Sequence, residues 1–289
     1  MEPQRKTAPR IWVILAREAS FAAVFRRGPS GQVRLLKWNL RNDAFHGGQW
    51  FKGRIYERRC DLSPDGSLLI YFASKQSRQH LPTWTAISKP PYLTALAMWP
   101  KGDCWNGGGQ FLTNHSIILD HEPYQAELAP GFHLKKIRIA GLLNQKGEDS
   151  PMWNSILQRD GWTFVNRGRR MHKSGWQLGW QFDPPETWTK PHPKKPLLLE
   201  MGIRGLASNG KRGWYQMGYQ VLPNDRGGLP AMDADWADWD KRGDLLYARN
   251  GKIFRQRHRQ TGFESAIELI DLNNQKFENI APPASALKW

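Results

Sequence analysis

The sequence RCDLSPDGSLLIYF, at residues 59–72, decides the fold of this chain, because it contains two strands joined by a tight turn. At its centre Pro64 fixes φ, Asp65 can bond to its own backbone, and Gly66 accepts a positive φ without steric cost. The apolar run that follows, at residues 68–73, is too short for a typical helix and is rich in β-forming residues. The stretch therefore predicts a β-hairpin whose second strand is buried on both faces.

The same pattern returns near the end of the chain, at residues 238–247 (DWDKRGDLLY). The two stretches align without a gap, so that Asp238 corresponds to Asp61 and Gly243 to Gly66. A repeated hairpin indicates a repeated supersecondary unit. We predict that the two glycines occupy equivalent turns and that both have a positive φ.

Three further hairpins are expected in the chain. Each joins two short apolar runs through a polar turn, and they lie at residues 11–25, 110–119 and 155–165. More strand-like runs follow the first two hairpins, at residues 32–38, 44–46, 83–87 and 93–99. Four antiparallel strands per unit, with polar turns and no helical pattern, are typical of a β-propeller blade.

We therefore predict an all-β chain that forms a single β-propeller over residues 1–289, with five four-stranded blades and six as the alternative. The gap before the last hairpin is nearly twice as long as the others, and we interpret it as an insertion. Residues 197–201 and 214–221 would then be the outer strands of the fourth blade, and residues 167–196 a long loop. The blades are predicted at residues 11–53, 54–103, 104–150, 151–226 and 227–285.

The two ends of the chain are expected to meet in one blade. Residues 277–280 (FENI) read as a strand, and residues 11–15 (IWVIL) are the first strand of the chain. Pairing of strands from the two termini closes the ring of a propeller and removes exposed sheet edges. We predict that these two strands pair.

The hairpin repeat resembles that of a known class of propellers. The turn at residues 62–66 (LSPDG) and its copy at residues 237–248 look like the repeat of TolB-type and WD40-like propellers. More narrowly, residues 53–73 and 84–96 resemble a group of uncharacterised bacterial proteins. The resemblance covers most of the chain. It implies a propeller fold and no particular activity.

The composition indicates a folded protein with an affinity for anions. The 289 residues include 42 Lys and Arg against 26 Asp and Glu, which gives a net charge of +16, and 39% are hydrophobic. This surplus favours anionic partners, and the apolar content argues against disorder. No signal peptide is visible, and the apolar runs are far shorter than the roughly 20 residues that span a bilayer. We expect a cytoplasmic protein without a membrane partner, in which Cys60 and Cys104 are reduced thiols.

No cofactor or metal site is expected. Residues 205–212 match all but the last position of a phosphate-binding loop motif, where Arg212 replaces the required Ser or Thr. The acidic run at residues 233–240 lacks the Gly and the bidentate Glu of a calcium loop. The eight histidines show no metal-ligand spacing. We expect the first stretch to form an ordinary Asn-Gly hairpin turn, and the aspartates of the second to bond to their own backbone in turns.

Residues 167–196 interleave cations with aromatic rings, a pattern that suits single-stranded nucleic acid. Lysine and arginine neutralise phosphates, while rings stack on bases. The alternative is that the tryptophans pack against a blade and the cations contact only water. Together with a nearby basic pair, the candidate anion-binding residues are Arg167, Arg169, Arg170, Lys173, Trp176, Trp180, Lys194, Lys195, Lys211 and Arg212.

We predict a non-enzymatic binding platform for an anionic partner, either nucleic acid or an acidic protein, that acts as a monomer or as a subunit of a larger complex. The alternative is a small-molecule or glycan site in the propeller channel, lectin-like or hydrolytic, with Asp61, Asp120 and Glu200 as candidate carboxylates. Basic clusters in several blades would form a positive ring if they shared one rim. They lie at residues 26–27, 58–59, 135–136, 211–212 and 255–259.

Overall fold

The computed structural model describes residues 7–28, 31–75, 82–143, 147, 149–171, 180–208, 213–223, 228–260 and 262–289. Several β-sheets, mostly antiparallel, dominate these residues, so the all-β prediction is confirmed. No helix in these ranges is long and apolar enough to cross a membrane. The chain divides into two compact units, which are described separately: the first unit is Met1–Ile156 with Asn274–Trp289, and the second unit is Leu157–Asn273.

The first sheet of the first unit is a four-stranded antiparallel meander, as predicted. Its strands are β1 (Arg10–Leu15), β2 (Phe21–Arg27), β3 (Gln32–Asn39) and β4 (Ala44–Lys52). Successive residues of β2 from Ala22 to Phe25 are buried, so this strand is covered on both faces. The first hairpin and the two strands after it are confirmed.

The hairpin at residues 59–72 lies in the second sheet of the first unit. The strands are β5 (Arg54–Ile55), β6 (Asp61–Leu62), β7 (Leu69–Ser74), β8 (Thr83–Ser88) and β9 (Ala97–Pro100). All of β7 is buried, as the continuous apolar run predicts. Residues of β2, β3, β6 and β7 share one hydrophobic cluster, with Phe25, Leu35 and Leu69 among its members.

The third sheet departs from the predicted blade. The expected hairpin is present in β10 (Gly109–Thr113) and β11 (Ser116–Leu119). The next strand, β12 (Arg138–Leu142), runs parallel to β11 rather than antiparallel. Parallel pairing requires a connection that returns the chain to the start of the neighbouring strand. Residues 120–137 make that return, and the described part of this sheet has three strands.

The fourth predicted hairpin is wrong in its first strand. Residues 155–157 belong to a helix, α1 (Ser150–Arg159). Pro151 suits a first helical turn, where its missing N–H removes no bond. Three apolar residues fit a strand or a helix equally well, and the helical period becomes visible only over the 10 residues of the helix. Four apolar side chains at helical spacing are buried: Met152, Trp153, Ile156 and Leu157.

Residues 167–196 do not form the expected long loop, because much of this segment is a strand of a six-stranded sheet in the second unit. Trp180, Phe182 and Trp188 follow the strand period, which the Pro184–Pro185 pair obscured because prolines are rare inside sheets. A register shift between Gln181 and Glu186 accommodates the prolines. The strands are β13 (Thr163–Asn166), β14 (Arg170–Met171), β15 (Trp180–Pro191), β16 (Leu198–Ser208), β17 (Gly213–Leu222) and β18 (Leu229–Asp233).

The last four-stranded sheet contains the second copy of the repeat. The predicted Asn250-Gly251 turn joins two of its strands. Between the third and the fourth strand of this sheet, the chain forms a separate two-stranded antiparallel ribbon. The strands are β19 (Trp236–Trp239), β20 (Leu245–Arg249), β21 (Lys252–Gln256), then β22 (His258–Arg259) and β23 (Gly262–Phe263) in the ribbon, and β24 (Ile267–Asp271).

The two copies of the repeated turn are equivalent as far as the glycine. Gly66 has a φ of 72° and Gly243 a φ of 93°, and each donates its N–H to the carbonyl three residues earlier. After the glycine the copies differ. The first turn spans residues 63–68 between paired strands, whereas the second spans residues 240–244 and is one residue shorter. The prediction of equivalent positive-φ turns is confirmed, and the gap-free alignment ends at the glycine.

The strand predicted at residues 277–280 is wrong. This segment lies against β4 without joining a sheet: the Phe277 ring is 6.0 Å from that of Trp50, and Gln49 donates to the Ile280 carbonyl. Pro282 and Pro283 follow, and neither has the N–H that a ladder requires. Within the described residues β1 pairs only with β2, so the predicted pairing of the chain ends is not observed.

Candidate anion-binding surface

Three of the candidate cations lie on the edge of the six-stranded sheet. β13 and β14 pair with the same strand, β15, and a bend at Gly168 joins them. Gly168 has a φ of 71°, and a Cβ there would lie 2.6 Å from the backbone nitrogen of Glu186. Glycine therefore permits a close approach that any other residue would prevent. The bend places Arg167, Arg169 and Arg170 along this edge.

The backbone on both sides of Arg169 is held by β15. The Arg169 N–H donates to the Pro184 carbonyl at 3.1 Å, and the Asp183 N–H donates to the Arg169 carbonyl at 2.8 Å. The Arg169 side chain donates to the carbonyl of Asp183, not to its carboxylate. Arg167, Arg169 and Arg170 are exposed, and none forms an ion pair within the described ranges. Their charge is available to an external anion.

Aromatic rings lie beside these cations. The guanidinium carbon of Arg170 is 5.9 Å from the centre of the Trp180 ring. The Trp180 ring is 4.7 Å from that of Phe182 and 6.1 Å from that of Tyr215. Trp180 and Tyr215 both pair across to Leu206, so they share one face of the sheet. All three rings are half-buried, and each keeps surface that a planar ligand can contact.

Trp188 plays a different part from Trp180. It is 1% exposed, its ring packs 5.1 Å from that of Phe164, and its Nε1 donates to the Glu186 carboxylate. This ring belongs to the core of the second unit. The interpretation as a core side chain therefore holds for Trp188, whereas Trp180 is half-buried beside the arginines.

Lys194 and Lys195 lie at the opposite end of β15 from Trp180. The strand has 12 residues. Trp180 pairs with Leu206 and Pro191 with Leu198, so the register along β16 separates the two ends of β15 by roughly 25 Å. The Lys195 ammonium donates to the Arg259 carbonyl at 2.9 Å and contacts Nδ1 of His258. Burial and the nearby lysine charge lower the pKa of His258, so its ring is neutral at pH 7 and accepts from Lys195. Lys195 therefore links the loop after β15 to β22.

The structure brings together four of the ten candidate residues: Arg167, Arg169, Arg170 and Trp180. It does not bring Lys194 and Lys195 to them. The other four lie outside the described residues: Lys173, Trp176, Lys211 and Arg212. Sequence reasoning missed Phe182 and Tyr215 as members of the surface. Their alternation with polar residues along β15 and β17 was the available signal.

Several arginines of the other basic clusters are buried. Arg26, Arg59 and Arg255 are each no more than 3% exposed. Arg59 pairs with Asp149 at 2.6 Å. The guanidinium of Arg58 lies between two indole rings, 4.4 Å from one and 4.7 Å from the other. These cations are held inside the fold, so they are not part of an exposed positive rim.

The carboxylates considered for a hydrolytic site do not favour one. Asp61 is buried and accepts the Phe111 N–H at 2.7 Å, so it joins two sheets of the first unit. Asp120 is buried as well. In the second unit Glu200 accepts the side-chain amide of Gln220 at 2.6 Å. No group of three or more His, Cys, Asp or Glu that could hold a metal ion occurs within the described part of the chain.

Comparison with known proteins gives only distant structural similarities. No protein-family model and no curated protein matches the sequence. The uncharacterised protein lmo1340 of Listeria monocytogenes EGD-e is 11% identical, with a TM-score of 0.31 over 94% of this chain and 85% of that one. The β-propeller domain of the Trilobed protease from Pyrococcus furiosus is 10% identical, with a TM-score of 0.32 over 93% and 83%.

The AtxE2 isopeptidase, in a structure with Astexin3 bound, is 12% identical, with a TM-score of 0.30 over 96% of this chain and 54% of that one. At such TM-scores these similarities carry no argument about the arrangement of the sheets or about activity.

Proposed function

We propose that this chain is a non-enzymatic, cytoplasmic β-propeller that binds an anionic macromolecule at the edge of its six-stranded sheet, and that the partner is single-stranded nucleic acid. One observation carries this proposal: three exposed arginines, which form no ion pair with any described residue, lie beside three half-buried aromatic rings. Five blades, with six as the alternative, remain the proposed arrangement of the sheets. The four-stranded antiparallel sheets β1–β4 and β19-β20-β21-β24 support it.

The proposed chemistry divides between the two kinds of side chain. Arg167, Arg169 and Arg170 neutralise phosphates and release counterions, which makes binding depend on salt. Trp180 and Tyr215 stack on unpaired bases, and each stacked base contributes roughly 1–3 kcal/mol. A duplex hides the faces of its bases, and an acidic protein has no bases to stack. The rings therefore favour single-stranded nucleic acid over both.

The charge of the edge is tested with a double variant, Arg169→Gln with Arg170→Gln. The matched control, Lys135→Gln with Lys136→Gln, removes the same charge from an exposed segment of the first unit. The probe is a fluorescein-labelled oligothymidylate, titrated at several salt concentrations. We expect the edge variant to weaken binding and to reduce the log–log salt slope by about 1.4, at about 0.7 per lost phosphate contact. Equal effects of both variants would contradict a localised surface.

The stacking contribution is tested with Trp180→Ala. We expect weaker binding of the oligothymidylate, an unchanged salt slope and an unchanged affinity for polyglutamate. A parallel loss for both probes would identify an acidic protein as the partner class. If neither variant of the edge changes the binding of any polyanion, the proposal is wrong.

A further inference from the structure

Asp120 is a buried acid whose side chain forms no hydrogen bond with the described residues. It follows β11 in the first unit and is 0% exposed. Neither Oδ1 nor Oδ2 has a partner in the described part of the chain. A buried carboxylate without a donor carries the full cost of its lost hydration, and such groups take up a proton instead. Asp120 therefore differs from Asp61, which receives an N–H donor.

The backbone of Asp120, in contrast, holds the loop at residues 101–108. Gly107 donates its N–H to the Asp120 carbonyl at 2.6 Å, and the Asp120 N–H donates to the Gly108 carbonyl at 3.1 Å. Gly108 has a φ of 89°, and a Cβ there would lie 1.9 Å from the Arg59 carbonyl oxygen. The loop is packed too closely for a ligand to reach the carboxyl while it stays closed.

Two cations near Asp120 are bonded to other acceptors. Arg59 donates to Asp149 at 2.6 Å and to the Cys104 carbonyl at 2.8 Å. Lys101 donates to Gln125 at 2.7 Å and pairs with Asp103. Both cations attract the negative charge of Asp120 through space but give it no hydrogen bond.

The remaining charged and titratable neighbours do not compensate Asp120. Glu122, two residues later, adds negative charge, which opposes ionisation. His121 is buried between Thr85 and the Gln125 carbonyl. Burial lowers the pKa of His121 to about 4, so its ring is neutral at pH 7. Burial also raises the pKa of Asp120 to about 7, although Arg59 and Lys101 lower it.

We propose that protonation of Asp120 controls the opening of the loop at residues 101–108. The neutral acid is compatible with the closed loop. The carboxylate needs water, and water reaches it only when the bonds of Gly107 and Gly108 to Asp120 separate. Opening also loosens Cys104, whose Sγ accepts the hydroxyl of Tyr56. The contact between this loop and Asp120 thus weakens when the Asp120 carboxyl loses its proton.

The direction of the pH dependence follows from linkage. An aspartate in the unfolded chain has a pKa of about 3.9, whereas that of Asp120 in the folded protein is about 7. Between these values the folded state holds a proton that the unfolded state has lost. Raising the pH therefore favours opening by up to about tenfold per pH unit over this interval. Above it the dependence vanishes, because both states are then ionised.

The experiment compares the native chain with Asp120→Asn by hydrogen exchange between pH 5 and pH 8.5, corrected for the intrinsic exchange rate. The matched control, Glu127→Gln, removes an exposed carboxylate from the same region. We expect protection of residues 101–108 to fall by up to about tenfold per pH unit below pH 7 in the native chain and in the control. In Asp120→Asn the protection should not change with pH.

Identical pH profiles for Asp120→Asn and the native chain would overturn the proposal. If Asp120→Asn does not fold, carbon NMR of the Asp120 carboxyl in the native chain decides instead. A titration midpoint near pH 7, with amide shifts in residues 101–108, supports the proposal, and a midpoint below pH 5 overturns it.

Discussion

Asp240 and Asp120 are both buried carboxyls at the end of a strand, and only one of them is paired. Asp240 follows β19 in the second unit, where its Oδ2 contacts the guanidinium of Arg255 and its Oδ1 accepts the N–H groups of Arg242 and Asp244. Asp120 has none of these partners within the described residues. Burial alone therefore does not determine what a carboxyl does. The supply of donors separates a structural ion pair from a group that responds to pH.

The source of the donors explains the difference. Arg255 lies on β21 and pairs with Leu246 of β20, the strand that follows the turn. The same sheet therefore supplies the cation for Asp240. The corresponding cation near Asp120 is Arg59, but Arg59 forms its ion pair with Asp149. A corner built from consecutive strands of one sheet thus has its cation supplied by that sheet. At a corner formed by separate loops, a buried acid has a cation only if no other acid in those loops pairs with that cation.

The largest expected effect comes from removing the donor at the paired corner. Arg255→Met leaves Asp240 and Asp244 without their shared cation at a site where Arg255 is 2% exposed. We expect a loss of about 3–5 kcal/mol in the free energy of unfolding, because an uncompensated charge remains buried. Urea denaturation at pH 7 measures it. Adding Asp240→Asn and Asp244→Asn should recover part of the loss, and a loss below about 1 kcal/mol would contradict the pairing.

A second variant should turn a paired acid into an unpaired one. Asp238 is half-buried, and desolvation of its carboxyl raises its pKa, while Lys190, whose Nζ lies 2.7 Å away, opposes the shift. Lys190→Met should raise the pKa of Asp238 further above its unfolded value. The stability lost should then grow as the pH rises from about 4 to 8, to about 1–3 kcal/mol. Thermal melts at pH 5 and pH 8 test this, with Lys190→Met plus Asp238→Asn as the pH-independent control.

The turn that carries Asp240 offers a third test. Gly243→Val and Gly66→Val each place a branched side chain at a positive φ, which should cost on the order of 1–3 kcal/mol. A Cβ on Gly243 would also lie 2.6 Å from the His192 ring, whereas the nearest atom to a Cβ on Gly66 is 3.1 Å away. We therefore expect Gly243→Val to be the more destabilising in urea. The reverse order would show that the two turns are not held in the same way.

The smallest effect is expected at an exposed ion pair. Arg259 and Glu264 lie 2.9 Å apart, with side chains 56% and 44% exposed. Exposed pairs are screened by solvent and contribute little. Arg259→Gln should leave the melting temperature unchanged within error, in low salt and in high salt. A large fall in the melting temperature would mean that this exposed ion pair contributes to stability as the buried pair at Asp240 does.

The sequence predicted the elements that depend on local chemistry. The hairpins whose turns contain Gly66 and Gly243 are present where expected, because a positive φ favours glycine. The helix at Ser150–Arg159 was missed, since three apolar residues fit either period. The strand β15 was missed because two prolines argue against a strand, and here a register shift absorbs them.

The candidate surface was predictable only in part. The sequence identifies arginines but not their surroundings, so Arg59 and Arg169 look alike in it. One is buried against Asp149, and the other is exposed at a sheet edge. Nor does a sequence show that Asp120 lacks a donor, because that depends on residues from other loops. Local rules specify strands and turns, whereas contacts between distant segments determine which charges are free.

The shorter second copy of the repeated turn has a consequence for how such a chain can vary. A residue lost between Gly243 and Leu245 shortens a loop at the surface and leaves the alternation within β20 unchanged. The same loss inside β20 would exchange its inward and outward side chains, so that Leu246 and Ala248 would leave the interior. Changes of length are therefore tolerated at the turns of this repeat and excluded from its strands. Copies of the unit can drift in length while each keeps its interior.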